Sequence, residues 1–157
     1  MIHRCLRYAT IQLLSPHSCH LQHKRPDAGF EGSRPCCVTA YLATVARDIG
    51  CECYRAGGVE DHVHLAIRLS RTVTVSKIVE KLKASSSKWI KDEFPELASF
   101  AWQRGYGAFS LGPSQLEALR TYIDRQEEHH RKCSFQEEYR VLLAKYGISC
   151  DERYVWD

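Results

Sequence analysis

From residue 38 onward, apolar and polar positions fall into readable periods. Val38, Tyr41, Leu42, Val45 and Ile49 recur at helical spacing, and Gly50 supplies a stop. Residues 51–56 read as a short strand, and Gly57-Gly58 as a turn. Beyond it Val63, Leu65, Ile67 and Leu69 alternate, so they share one strand face that a core should claim, while His62 and His64 share the other. Residues 73–91 predict a second helix with Val75, Ile78, Val79, Leu82 and Trp89 as its apolar positions. Ser85-Ser86-Ser87 within it are small enough to let a backbone approach closely. Residues 102–110 predict a strand with an irregular entry. Ser114 with Glu117 three residues later, after Pro113, is a capping-box pattern. It opens a helix to about residue 130, with Leu116, Leu119 and Ile123 as its buried stripe. A last helix covers about 135–146 and ends at Gly147; the aromatic tail 151–157 is expected to dock. Residues 1–37 resist this reading, because Pro16, Pro26, Gly29, Gly32 and Pro35 interrupt them and apolar periodicity is weak.

From residue 38 the order is helix, strand, strand, helix, strand, helix, helix. It predicts an α+β sandwich, an antiparallel sheet with helices on one face. The other face is then expected to stay partly open, with His62 and His64 on it. A chain of 157 residues suits one domain with a real core. A net charge of +3 permits nucleic acid without requiring it. No apolar run approaches the roughly 20 residues that span a bilayer, and no signal peptide is evident. None of the 8 cysteines forms a Cys-x-x-Cys pair, the usual structural zinc spacing. Reduced thiols in a cytoplasmic protein are the expectation.

Two histidines at i and i+2 on one strand face can reach one metal ion, although partly exposed histidines are the commoner meaning of that spacing. Tyr122 and Gln126 add to it. At i and i+4 they share a helix face beside the stripe of Leu116, Leu119 and Ile123. Tyr122 is either a half-buried aromatic at a helix edge or a phenol aimed at a metal, with the Gln126 amide oxygen as third ligand. The second reading suits phosphoryl transfer. A phenol with a pKa near 10 is a poor nucleophile, and a divalent cation would polarise the phosphate it attacks. Lys77, Lys81, Lys83, Lys88 and Lys91 on the second helix form either a solvated face or a surface for phosphates. His129 and His130 suit a helix C-terminus or nearby phosphates. Asp61 is a turn residue or a partner that orients a histidine.

His62-Val63-His64, with Tyr122 and Gln126 on a later helix, resembles the HUH endonuclease superfamily. The likeness narrows to single-tyrosine transposases of small bacterial insertion sequences and their repeat-associated relatives. Gly57-Gly58-Val59-Glu60-Asp61-His62-Val63-His64-Leu65 is similar to that family's metal strand. Further similar blocks are Leu82-Lys83-Ala84-Ser85-Ser86-Ser87-Lys88-Trp89-Ile90, Trp102-Gln103-Arg104-Gly105-Tyr106-Gly107-Ala108-Phe109-Ser110 and the Tyr122 helix through His130. The resemblance covers about 38–157, which is set apart as the transposase domain. It implies a ferredoxin-like fold, and Mg²⁺ or Mn²⁺ held by His62, His64 and Gln126. It further implies attack by Tyr122 on single-stranded DNA, giving a 5′-phosphotyrosine and a free 3′-hydroxyl. Hairpins near element ends and a homodimer are its implied partners. Lys81, Lys83, Lys88 and Arg104 are the candidate DNA contacts.

The departure lies in residues 1–37, where the family's alternating first strand is expected and not found. One permitted set of codons for residues 16–27, read one nucleotide later, gives H-I-H-V-T-F-S-T-K-D-R, which is family-like. An old frameshift in the first strand is therefore an expectation that the gene's nucleotides would test. Three other readings stand beside the transposase. A histidine-triad nucleotide hydrolase needs a further histidine where Ala66 stands. A zinc module would use His62, His64, His129 and a cysteine, with no task for Tyr122. A catalytically decayed or domesticated protein would bind hairpin DNA without cutting it.

Overall fold

The computed structural model describes residues 8–14, 37–59, 61–131 and 133–149. Its elements are β1 (Tyr8–Leu14), α1 (Cys37–Asp48), β2 (Glu52–Gly58), β3 (His62–Arg68), α2 (Val75–Glu93), β4 (Tyr106–Leu111), α3 (Leu116–Asp124), α4 (Gln126–His130) and α5 (Phe135–Lys145). The strands form one antiparallel sheet in the order β2-β3-β1-β4. A β-α-β-β-α-β chain in that order is the ferredoxin-like arrangement. The α+β class, and an antiparallel sheet with helices packed on it, are as expected. No helix among the described residues is long and apolar enough to cross a membrane.

The core lies between the sheet and α1 with α2. Ile11, Leu13, Val63, Leu65 and Ile67 point into it from the strands, and Val38, Leu42, Val45, Ile78, Val79, Leu82 and Ile90 meet them from the helices. Each fully buried aliphatic side chain contributes about 1.5–3 kcal/mol, so this layer orients the whole sheet. Gly50 ends α1 in the left-handed region at φ 78°, which only glycine adopts without strain. In α2 the hydroxyl of Ser86, fully buried, accepts the Trp102 indole N–H at 2.8 Å and donates to the Leu82 carbonyl. A small polar residue mid-helix thus serves an indole that must otherwise be buried unpaired.

The sequence reading needs correction in three places. Residues 8–14, within the segment whose apolar periodicity is weak, form a central strand with Ala9, Ile11 and Leu13 buried on one face and Thr10 buried on the other. β1 pairs with both β3 and β4, placing Ile11 opposite Leu65 and Gln12 opposite His64. The frameshift expectation falls on residues 16–27 and the docking tail on 151–157; both lie outside the described residues. Second, the histidine face of the sheet is not open. α3 and α4 lie against β2 and β3, and His62 and His64 are only 1% and 2% exposed. Third, the helix expected over 114–130 starts and breaks differently. Ser114 and Glu117 form no capping box. A 3-10 turn, Pro113–Gln115, leads in, and the Gln115 side chain accepts the Gly112 N–H at 2.9 Å. The helix then breaks at Arg125, between α3 and α4.

Candidate active site

β3 lies between β2 and β1, so its side chains on both faces meet packed neighbours. His62 and His64 project from the face opposite the core, their ring centroids 4.9 Å apart. Asp61, at the start of the strand, sets the chemistry of the first. Its Oδ1 lies 2.6 Å from His62 Nδ1. A carboxylate only accepts, so Nδ1 carries the proton and the Nε2 lone pair faces into the site. The hydrogen bond from His62 holds the Asp61 carboxyl below the usual carboxylate range, against the opposing effect of burial. Of the two meanings open for Asp61, orientation of the imidazole is the one its geometry serves.

Gly57 brings the tyrosine helix close. It pairs with His64 across β2 and β3. A Cβ there would stand 2.6 Å from Ile123 Cγ2 and 3.2 Å from the Ile123 carbonyl oxygen. The missing side chain lets α3 settle on the sheet beside His64, and an ion pair from Arg55 on β2 to Asp124 ties down its end. Tyr122 consequently lies edge-on to His64, ring centroids 5.6 Å apart. At the break, the Arg125 N–H is shared between the Thr121 and Tyr122 carbonyls, 3.2 Å from each. Gln126 follows, 1% exposed, with Oε1 3.2 Å from His62 Nε2. Tyr122 and Gln126 do reach one site, though from two short helices instead of one face of a continuous helix. Gly57→Ala should wedge α3 off the sheet. Overpacking of this kind costs about 1–3 kcal/mol, a fall of several degrees in Tm for a chain this size. An unchanged melting curve would mean that α3 does not depend on this contact.

The sequence reading missed the residue at the centre of the site. α5 opens on a true capping box: Ser134 Oγ accepts the Glu137 N–H, and Glu137 Oε2 accepts the Ser134 N–H. Phe135 packs on His62 with ring centroids 4.9 Å apart. Three residues on, the Glu138 side chain is 5% exposed. Its Oε1 accepts the Tyr122 hydroxyl and stands 3.3 Å from His64 Nε2. Its Oε2 stands 2.8 Å from His130 Nε2 and 3.9 Å from His129 Nε2. A signal was present in the sequence. Glu138 lies three residues after Phe135 and four before Leu142, on the apolar stripe of the helix, where a carboxylate needs partners.

These contacts set the charges. Burial alone would raise the Glu138 carboxyl; hydrogen bonds from His64 and Tyr122 and the nearby imidazoles outweigh it and bring it down to about 2. Tyr122 moves the other way, raised first by burial and then by the Glu138 carboxylate, so its phenol stays protonated. Burial lowers His64, against the pull of Glu138, and keeps the imidazole neutral at pH 7, the form that ligates a metal. Burial lowers His130 likewise.

His62, His64 and Glu138 hold ligand atoms within 4.8 Å of one another, and Gln126 Oε1 adjoins them. Gln126 Nε2, Glu138 Oε2 and His130 Nε2 are buried without hydrogen bonds, the last two facing each other out of hydrogen-bond geometry. Imidazole nitrogen with carboxylate and amide oxygen is a donor set that fits a divalent metal. Among the described residues this ligand group contains no cysteine. The basic candidates lie elsewhere. α2 packs on the core face of the sheet, opposite His62 and His64. Lys81 and Lys88 on it are exposed, as is Arg104. The Lys83 ammonium is engaged within the fold, donating to the carbonyls of Gln103 at 2.5 Å, Gly105 at 2.6 Å and Arg104 at 3.3 Å, and burial lowers its pKa.

Residues 21–126 match the family described as "Transposase IS200 like". Among solved structures, the chain is similar to a candidate transposase from Deinococcus radiodurans R1. The two share 16% identity over 80% of this chain and 95% of that one, with a TM-score of 0.56. A REP-associated tyrosine transposase bound to a REP hairpin aligns at 12% identity over 84% of this chain and 73% of that one, with a TM-score of 0.47. No curated protein sequence matches the chain.

Proposed function

The chain belongs to the family of IS200-like transposases, and from that footing we propose that it cuts and rejoins single-stranded DNA through a covalent bond to Tyr122. The Tyr122 oxygen attacks a backbone phosphorus, the bond to the 3′-oxygen breaks, and that oxygen leaves as a hydroxyl. A 5′-phosphotyrosine remains, and a 3′-hydroxyl attacking it reverses the step, so no nucleotide cofactor is consumed. His62, His64 and Gln126 would hold Mg²⁺ or Mn²⁺, which supplies positive charge to the phosphate oxygens. The observation that carries this reading is the meeting of the half-buried Tyr122 phenol with two buried strand histidines, its ring 5.6 Å from that of His64. A phosphate transfer of this kind needs both.

The family resemblance supports hairpin-bearing DNA ends as the substrate, with the exposed Lys81, Lys88 and Arg104 as contacts to the DNA backbone and Lys83 steadying the loop that carries Arg104. A cytoplasmic location follows from that substrate. Tyr122 stands beside the His64 of its own chain, so a single chain can carry the step; in the homodimer that the family implies, copies would exchange the same helix. The test is direct. The protein is incubated with single-stranded oligonucleotides from both flanks of its gene, with Mn²⁺ or with EDTA, and resolved on a denaturing gel. A covalent protein–DNA band that requires Mn²⁺ is expected. Hairpin binding without any such band would sink the cutting reading and leave a DNA-binding relative that has lost it.

A further inference from the structure

Glu138 has no task in the step just described, yet it is the best-connected side chain of the site. It lies on α5, beyond the span that the family match covers. A scissile phosphate must satisfy two conditions at once. One of its oxygens has to come within reach of the metal-binding imidazoles, and its phosphorus has to meet the Tyr122 oxygen. The Glu138 carboxylate already stands at that place: Oε1 touches the Tyr122 hydroxyl and lies 3.3 Å from His64 Nε2, and the group shares the ligand cluster with His62. Carboxylate and phosphate are both oxygen anions, and two of them cannot occupy one buried point without strong repulsion. We propose that Glu138 is an internal stand-in for the scissile phosphate, a ligand to the divalent cation in the DNA-free chain that gives up its place when DNA enters.

This rests on the metal-dependent reading above and adds a signature which that reading lacks. Hard cations gain affinity with each carboxylate in their shell. Removing the Glu138 charge should therefore weaken metal binding and strengthen DNA binding, two effects of opposite sign. Glu138→Gln keeps the shape and an acceptor oxygen for Tyr122 while removing the charge. Mn²⁺ affinity of the DNA-free protein is read from the electron paramagnetic resonance of free Mn²⁺, and it should fall at least about tenfold. Binding of a labelled oligothymidylate of about 20 nucleotides, long enough to fill a single-strand groove, is then measured at Mn²⁺ saturating for both proteins. It should tighten about tenfold, a modest share of what relief of like-charge crowding gives.

Glu138→Ala gives the same pair of signs if the Gln variant packs poorly, and circular dichroism checks that each is folded. Mn²⁺ affinity unchanged in both variants, but lost in His64→Ala, would overturn this proposal and leave the metal reading standing. Weakening of Mn²⁺ and DNA together would overturn the exchange and make Glu138 a permanent support. A wild-type chain that binds no Mn²⁺ would overturn the metal reading itself.

Discussion

Tyr122→Phe should abolish covalent capture of DNA and leave the folded chain able to bind Mn²⁺. The change removes one oxygen atom. In the DNA-free protein that oxygen donates a hydrogen bond to Glu138, and a hydrogen bond to a charged group is worth about 1.5–3 kcal/mol. His64 Nε2 still stands 3.3 Å from the same carboxylate oxygen, so Glu138 keeps a partner and the melting temperature falls by only several degrees. The effect on the reaction is of another order. Removing a nucleophile takes away the bond-forming group itself, and the adduct should drop by about 10⁴-fold or more. The contrast is what makes the experiment informative, because a variant that was merely destabilised would lose both properties together. Mass spectrometry of the wild-type adduct after nuclease digestion should place the nucleotide on Tyr122. An adduct that survives in the Phe variant would assign the nucleophile to another residue and end the present reading.

The same phenol shows why the cut should depend on a cation. Burial and the Glu138 carboxylate both raise its pKa, which keeps the resting tyrosine protonated and unreactive. The surroundings that seat Tyr122 thus oppose its ionisation. Positive charge has to enter the site, or Glu138 has to leave it, before the oxygen can attack.

The parts of this site were not equally legible in the sequence. The period-2 alternation of Val63, Leu65 and Ile67 placed β3 and put both histidines on one face, because a strand's periodicity is local and needs no knowledge of its neighbours. What covers that face is a tertiary fact. An amphipathic pattern tells which side of an element is apolar but not which other element meets it, and so a buried site was read as a partly open one. β1 was lost for a different reason. Ala9, Ile11 and Leu13 alternate cleanly, but the strand is short and the Pro- and Gly-rich stretch after it dominated the reading of the whole segment. The break at Arg125 left no sequence mark, since no Gly or Pro stands there. Glu138 did leave one, a carboxylate on an apolar stripe, but its partners come from β3, α3 and α4, which no single-sequence pattern connects.

His64→Ala tests the metal through stability as well as through chemistry. In wild type, a ligand that binds only the folded state adds stability as its concentration rises, by about 2.7 kcal/mol at a hundred times its Kd. For a chain of this length that raises Tm by roughly 5–11 °C, and EDTA should return it to the metal-free value. In the variant, the buried imidazole leaves a cavity, and Glu138 Oε1 retains only the Tyr122 hydroxyl. Cavity and lost hydrogen bond together cost about 2–4 kcal/mol, so the metal-free Tm falls. The decisive quantity is the difference between the two Mn²⁺ responses. With one of its two imidazoles gone, the site should lose most of its affinity, and the Tm of His64→Ala should not respond to Mn²⁺ at concentrations that stabilise wild type fully. Covalent capture of DNA should fall about 10³-fold or more with it, since the phosphate then lacks the charge that a bound cation supplies. If His64→Ala keeps the wild-type Mn²⁺ response, the ion binds elsewhere. The two imidazoles would then be buried on one strand face to hold Glu138 and α5 in place, and the chemistry would have to be sought without them.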